Sequence, residues 1–356
     1  MSKNNGGHHR SGVKEIARRA KVSLATVDRV IHNRTGVSDS TRKKIQKIID
    51  EIDYQPNLLA SRLASRKVYD LAILIPKVSK ETNYWQAPLD GIERAASEIS
   101  KYGIRVSRYL FELNSKASFI KKANQILDAS TDGILLAPSF IEETVEFLNK
   151  CKARNIPYVF IDSDIPEQES LCYIGPDLKQ SGYLAAHLMN YGLSEMAKLL
   201  VVNISKEIDN HHHLLRKEEG FRNYFKDNLL SNPIIKVDIL QTNYTAIRDS
   251  LKTVFKEHPD IKAVFTTNSR VSSVARFLES VNKNDLLLVG YDYLKDNIEC
   301  LKSKTVDFLI CQKPEEQGFK GVMALYKQVV LSGKVDKVHY MPIDIITREN
   351  YAYYSN

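Results

Sequence analysis

Ser23-Leu-Ala-Thr-Val-Asp-Arg-Val-Ile-His32 is the stretch on which the reading of the chain turns. Ser23 is a good N-cap, because its hydroxyl accepts a hydrogen bond from a free first-turn amide. Val27, Val30 and Ile31 recur at the three-and-four spacing of one buried helical face. Leu24, Ala25, Asp28 and Arg29 are left pointing outward, and Arg29 suits the N7 and O6 acceptors of guanine in a major groove. Alone, the segment fits an ordinary amphipathic surface helix equally well.

Its neighbours favour the recognition helix of a DNA-binding headpiece. Val13 to Ala20 reads as a short helix with Val13, Ile16, Ala17 and Ala20 inward, and Lys21-Val22 as the turn. Asn33 to Gly36 is a loop. Ser38 caps a third helix, Asp39 to about Ile52, buried through Ile45, Ile48, Ile49 and Ile52, with Asp39 placed to suit the helix dipole. Three short helices with the second reading DNA make a helix-turn-helix. The charge agrees. Residues 1–68 hold fifteen Lys and Arg against six Asp and Glu, whereas the remainder is balanced at 36 against 37. A basic head on a neutral body points to a polyanion that meets the head only.

Val13-Lys-Glu-Ile-Ala17, Val22-Ser-Leu-Ala-Thr-Val-Asp-Arg-Val30, Val37-Ser38, Thr41-Arg42 and Tyr54-Gln-Pro-Asn57 follow, in order and spacing, the signature of the lac repressor family, which this chain resembles. The resemblance implies a hinge helix at Asn57-Leu-Leu-Ala-Ser-Arg-Leu-Ala64 that folds on DNA, pairs with its twin and pushes Leu63 into the minor groove. An apolar wedge of this kind costs a few kcal/mol of unstacking per base step, offset by the contacts of the bent duplex. The expected DNA contacts are Ser23, Leu24, Ala25, Thr26, Arg29, His32, Asn33 and Ser38 in the headpiece, and Asn57, Ala60 and Leu63 in the hinge. Lys21 stands where the family has a turn glycine, and His32 where it often has asparagine. Residues 1–11 read as a disordered tail, 12–56 as the headpiece and 57–68 as hinge and linker.

From Tyr69 apolar strands alternate with amphipathic helices. Strands fall at Leu71–Ile75, Ile104–Leu110, Gly133–Ala137 and Tyr158–Ile161, and the rhythm restarts after Gly175 through Lys198–Asn203, Ile234–Ile239, Ala263–Thr266 and Leu286–Gly290. Between them helices are expected, among them one around Gly220–Asn228. That pattern argues for α/β architecture with doubly wound parallel sheets. With the resemblance it becomes a two-lobed periplasmic-binding-protein-like domain, 69–356. The first lobe is expected at about 69–174 and 311–335, the second at about 175–310 and 336–356. No leucine heptad closes the chain, so a homodimer is expected and not a tetramer.

Ligands of open α/β sheets sit beyond the carboxyl ends of the strands, and sugars need flat apolar faces with fixed polar groups. The residues just after each strand are therefore the candidate effector contacts. They are Tyr84 and Trp85, Asp162, Asp177, Arg216, Asn268, Asp292 in a Gly-Tyr-Asp pattern, and Gln312, which resembles the hinge glutamine of ribose-binding proteins. Arg216 resembles a family ligand arginine with its spacing one residue off. Cys151, Cys172, Cys300 and Cys311 form no C-x-x-C, which argues against a zinc site or disulfide framework. Consecutive histidines such as His211-His-His213 cannot all converge on one ion. No phosphate loop, G-x-S-x-G elbow or H-E-x-x-H is present. No metal, cofactor or catalytic residue is expected, nor any signal peptide or membrane span, and the chain reads as cytoplasmic.

The expected function is a DNA-binding transcriptional regulator, most simply a repressor. It grips a pseudo-palindromic double-stranded operator under control of a sugar or sugar derivative. A purine-type corepressor is the nearest alternative; a solute-binding protein without DNA function is a further one. Arg29→Ala is predicted to cost about 1–3 kcal/mol at the operator and to relax preference at one base position. A binding assay over single-base operator variants checks it, and an unchanged preference removes the assignment.

Overall fold

The computed structural model describes residues 6–31, 34–52, 54, 67–79, 82–206 and 212–356. The chain divides into two compact units, Met1–Lys67 and Val68–Asn356.

In the first unit the helices are α1 (Gly6–Ala20), α2 (Leu24–Ile31) and α3 (Asp39–Glu51). Helix α1 starts at Gly6, so the tail expected to reach Ser11 is shorter than its polar composition suggested. Ile16, Ala17, Ala20, Val27, Val30, Ile45 and Ile48 form the core, as their helical spacing requires. Lys21 adopts φ 57°, the left-handed turn that glycine ordinarily supplies. Ser38 caps α3, its hydroxyl accepting from the Thr41 amide. His32 and Asn33, and the hinge residues Asn57, Ala60 and Leu63, lie outside the described residues.

The second unit holds two six-stranded sheets among its described residues. The first contains β1 (Tyr69–Leu74), β2 (Ile104–Arg108), β3 (Gly133–Leu136), β4 (Tyr158–Ile161), β5 (Cys172–Gly175) and β11 (Val338–Tyr340), in the order β11-β5-β4-β3-β1-β2. The second contains β6 (Lys198–Ile204), β7 (Ile234–Ile239), β8 (Ile261–Thr266), β9 (Leu287–Tyr291), β10 (Phe308–Cys311) and β12 (Asp344–Ile346), in the order β12-β10-β9-β8-β6-β7. All pairings are parallel except β10 with β12. Each sheet repeats one winding, and strands such as β1, β3 and β4 are buried along their whole length, as sheets covered on both faces demand.

The chain crosses between lobes after β5, after β10 and between β11 and β12. Two expected boundaries move. Residues 336–340 belong to the first lobe, because Val338–Tyr340 pairs with Tyr173–Gly175. Cys311 belongs to the second, paired with Asp344. Both changes come from strands of three or four residues, too short to show a period.

Helices α4 (Gln86–Ser100) and α12 (Pro314–Leu325) pack on the first sheet, and α7 (Leu178–Asn190) and α8 (His212–Asp227) on the second. Each pair meets backbone to backbone through glycines. A Cβ on Gly182 would lie 1.9 Å from the Lys217 carbonyl oxygen, and one on Gly220 would lie 1.8 Å from that of Lys179. Helix α8 begins two turns before the expected Gly220, and its first half therefore faces the other lobe's loops. Gly182→Ala is predicted to lower stability by at least about 1–3 kcal/mol, the usual range for overpacking. Gly192→Ala, whose Cβ would meet nothing nearer than 3.6 Å, should change it by less than about 0.5 kcal/mol. Denaturant unfolding of the two variants tests the contrast, and equal midpoints would remove the close-packing argument.

Candidate ligand-binding cleft and DNA-facing helix

The headpiece presents α2 with Leu24, Ala25 and Arg29 exposed. Arg29 makes no ion pair among the described residues, whereas Asp28 is met by Arg34 at 3.2 Å. Ser23 and Ser38 are used internally. The Ser23 hydroxyl accepts from the Thr26 amide at 3.1 Å, and that of Ser38 from the Thr41 amide at 3.4 Å. Their part is to start α2 and α3, and Thr26 is drawn into the first cap at 2.9 Å, Oγ to Oγ.

In the second unit the carboxyl ends of both sheets face one partly open cleft of about 90 Å³. Thr82, Tyr84 and Trp85 reach it after β1, Ser139 after β3 and Asp162 after β4. From the other lobe come Asn268 and Arg270 after β8, Asp292 after β9, Gln312 after β10, and His213 and Lys217 from α8. Six of the eight expected effector contacts are brought together here: Tyr84, Trp85, Asp162, Asn268, Asp292 and Gln312.

Asp162 and Asp292 both follow their strands in the left-handed region, at φ 68° and 74°. Asp tolerates this conformation better than most residues. Each turn is clamped. The Asp162 amide donates to Gln317 Oε1 at 2.9 Å, and Gln317 Nε2 donates to the Gln312 carbonyl at 2.8 Å. Asn297 Nδ2, wholly buried, donates to the carbonyls of Ser269, Tyr291 and Asp292 at 2.9–3.1 Å. The Tyr84 hydroxyl donates to Asp162 Oδ1 at 2.6 Å, and its ring meets Trp85 edge-on with centroids 5.1 Å apart.

Two expected contacts lie elsewhere. Asp177 is the N-cap of α7, its carboxylate accepting from the Gln180 amide at 3.0 Å. Arg216 forms an ion pair with Asp164 across the lobes, and both line a separate groove beside β11. The next residue on α8, Lys217, enters the cleft instead. A one-residue step on a helix turns a side chain by about 100°, so the displaced spacing of Arg216 before Gly220-Phe221 is the one sequence signal that could have led from Arg216 to its neighbour Lys217. Asn268 lines the cleft with its side chain already engaged: Nδ2 donates to the Ile204 carbonyl at 2.7 Å, and Oδ1 accepts from the Arg270 amide at 3.2 Å.

Lys217 is 5% exposed, with Nζ 3.6 Å from the centroid of the buried Tyr291 ring. That contact is a cation–π interaction. Burial lowers its pKa, opposed by the fields of Asp292 and Asp162. Burial raises Asp162, opposed by the Tyr84 hydroxyl and Lys217. Burial pushes Asp292 up to about 7, with Lys217 pulling down and Asp162 pushing further up. The three charges feel one another without forming a direct ion pair. Gln312 is 2% exposed, and its Nε2 has no hydrogen-bond partner among the described residues. The cleft thus holds one buried donor, Gln312 Nε2, without a partner among the described residues, and a hydroxyl is a group that could accept from it.

The Asp292 shift has a defined sign. Between about pH 4 and 7 the native chain keeps a proton that the unfolded chain releases, so stability falls as pH rises through that window and is flat above it. The melting-temperature gain of Asp292→Asn over the parent chain is therefore predicted to grow from pH 4 to pH 7 and then level. Thermal unfolding across pH measures it, and a gain independent of pH would contradict the shift.

Residues 72–334 match the family model described as periplasmic binding protein domain, and residues 12–57 match that of bacterial regulatory proteins, lacI family. Catabolite control protein A of Priestia megaterium is 28% identical over 289 residues, covering 79% of this chain and 82% of that protein. The transcriptional repressor PurR of Vibrio parahaemolyticus is 26% identical, covering 92% and 93%. Among solved structures, a putative LacI transcriptional regulator from Bacteroides fragilis aligns with TM-score 0.74 at 30% identity, over 81% of this chain and all of that one. A glucose-galactose binding protein from Geobacillus stearothermophilus shares the fold, with TM-score 0.71 at 22% identity over 80% and 99%.

Proposed function

Since the chain belongs to the lacI family of bacterial regulatory proteins and is a DNA-binding transcriptional regulator with a periplasmic-binding-protein-like domain, we propose that a neutral sugar closes the cleft of a homodimer and so resets its grip on a pseudo-palindromic operator. The observation that carries the sugar reading is the buried Gln312 Nε2, without a partner among the described residues, in a cleft also lined by Lys217 and two aspartates. Gln312 Nε2 is a buried donor without an acceptor among the described residues, and Asp162 and Asp292 offer acceptors on opposite lobes. A hydroxyl donates to a carboxylate and accepts from an amide or ammonium at once, and Trp85 with Tyr84 gives the ring an apolar face. A sugar acid would bring a third carboxylate to Asp162 and Asp292, which disfavours it.

Two copies are proposed because one short recognition helix reads only a few base pairs, and paired half-sites about one helical turn apart supply the rest. The expected minor-groove wedge, Leu63, belongs to the same proposal, with Asn57 and Ala60 beside it. The regulator acts where its operator is, in the cytoplasm, without catalysis, and the named relatives are likewise regulators. Control follows from linkage. The effector acts only through its differential affinity for two arrangements of the lobes, and operator DNA alters effector affinity by the same factor.

A thermal-shift panel of neutral sugars, sugar acids and nucleobases tests the reading, because a ligand that binds only the folded chain raises its melting temperature. Neutral sugars are expected to stabilise the parent chain, and Gln312→Ala to weaken that binding about tenfold or more. Operator affinity without sugar should be retained by that variant. Stabilisation by guanine or hypoxanthine alone would replace the sugar with a purine.

A further inference from the structure

Asp164 and Arg216 join the two lobes outside the cleft. Their ion pair lies beside β11, with Asp164 following β4 in the first lobe and Arg216 on α8 in the second. The two side chains are 30% and 21% exposed, so the pair is partly withdrawn from water and is screened less than one at the open surface. Each partner is mounted next to a cleft residue. Asp164 stands two positions after Asp162, in the turn that Gln317 clamps, and Arg216 immediately precedes Lys217 on α8. The Tyr173 hydroxyl donates to the Pro176 carbonyl at 2.8 Å and lies 3.3 Å from that of Asp162, which ties the same turn to the crossing after β5. The charged side chains beside them are engaged within the second lobe: Lys179 with Glu219 at 2.6 Å, and Asp177 as the cap of α7. Asp164 is therefore the carboxylate that Arg216 meets across the gap.

Because each half of the pair shares its mount with a cleft residue, the lobes cannot draw Asp162 away from Lys217 without also drawing Asp164 away from Arg216. The cleft alone gives an empty chain little reason to stay shut. Two carboxylates face one ammonium there, and opening returns water to all three. The link outside the cleft is instead one cation and one anion in direct contact. We propose that the Asp164–Arg216 pair is a latch that holds the lobes together when the cleft is empty and so sets the balance between closed and open chains. A ligand selective for closed lobes then gains apparent affinity in proportion to the fraction that the latch keeps closed. This holds whatever the chemistry of the ligand, so the latch stands independently of the sugar reading.

Spin labels on the purified full chain test it, with no ligand added. The four native cysteines are buried, so the labels go to Ala117→Cys and Thr245→Cys, exposed positions that follow the edge strands β2 and β7, on the side of each sheet away from the crossings. Double electron–electron resonance is expected to show one dominant short distance in the labelled parent. Arg216→Gln and Asp164→Asn are each expected to raise the population at longer distance about fivefold or more, and Arg216→Lys, which keeps the charge, to stay within about twofold of the parent. Sodium chloride at about 1 M, where the screening length falls to about 3 Å, should lengthen the parent distribution more than that of either neutral variant. A parent that already populates the longer distance as fully as Arg216→Gln and Asp164→Asn, or an Arg216→Lys chain as open as Arg216→Gln, would overturn the latch and leave the sugar reading standing.

Discussion

One ammonium and two carboxylates share a space from which most water is excluded. Taking each such charge out of water costs several kcal/mol even after relaxation, and removing one partner leaves the others uncompensated. Much of the second unit serves to hold these three groups at a fixed spacing. The glycine contacts between α7 and α8 seat Lys217, the left-handed turns after β4 and β9 aim the two aspartates, and Gln317 and Asn297 lock those turns. Asp162 belongs to one lobe and Lys217 and Asp292 to the other, so any change in lobe separation changes the electrostatic energy of all three. Lobe position and cleft chemistry are therefore one variable.

The two sheets repeat a winding in which the second strand lies outside the first and the third lies inside it. In such sheets the loops at the strand carboxyl ends diverge where the winding reverses, leaving a crevice. Placing two such crevices face to face produces a site to which each lobe contributes half the ligating groups. Three strand crossings join the lobes, and Lys313, left-handed at φ 51°, sits just past one of them between Asp344 and the tail residues. The hinge is thus tied to the carboxyl-terminal segment as well as to the strands.

Much of this was legible in the sequence, for reasons that differ by region. The headpiece was readable because capping serines and a three-and-four apolar spacing are local signals, and both appear as read at Ser23, Ser38, Val27 and Val30. The cleft was readable because strand ends announce themselves and the family resemblance marks some of them, and Tyr84, Trp85, Asp162, Asp292 and Gln312, expected on both grounds, do line one cleft. Arg216 and Asp177 misled because a residue type suited to a ligand is equally suited to an ion pair or a cap, and only helix phase separates the uses. Lys217 was hidden by a helix start placed two turns late. The place of residues 336–340 in the first lobe was hidden because a three-residue strand has no period to read. Glycines that admit a neighbouring helix, such as Gly182 and Gly220, look like any others until the partner backbone is known.

Trp85 is the single tryptophan of the chain, and it lies against Tyr84 in the wall of the cleft. Excited at the red edge, where its tyrosines absorb little, the protein therefore emits chiefly from one indole beside the ligand space. Occupancy, protonation of nearby carboxylates and lobe opening all alter the polarity around that ring. Because the headpiece contributes no tryptophan of its own, the receptor half can be followed optically while the other half is bound to nucleic acid. The chain carries its own built-in gauge of what the cleft holds, with no label to attach.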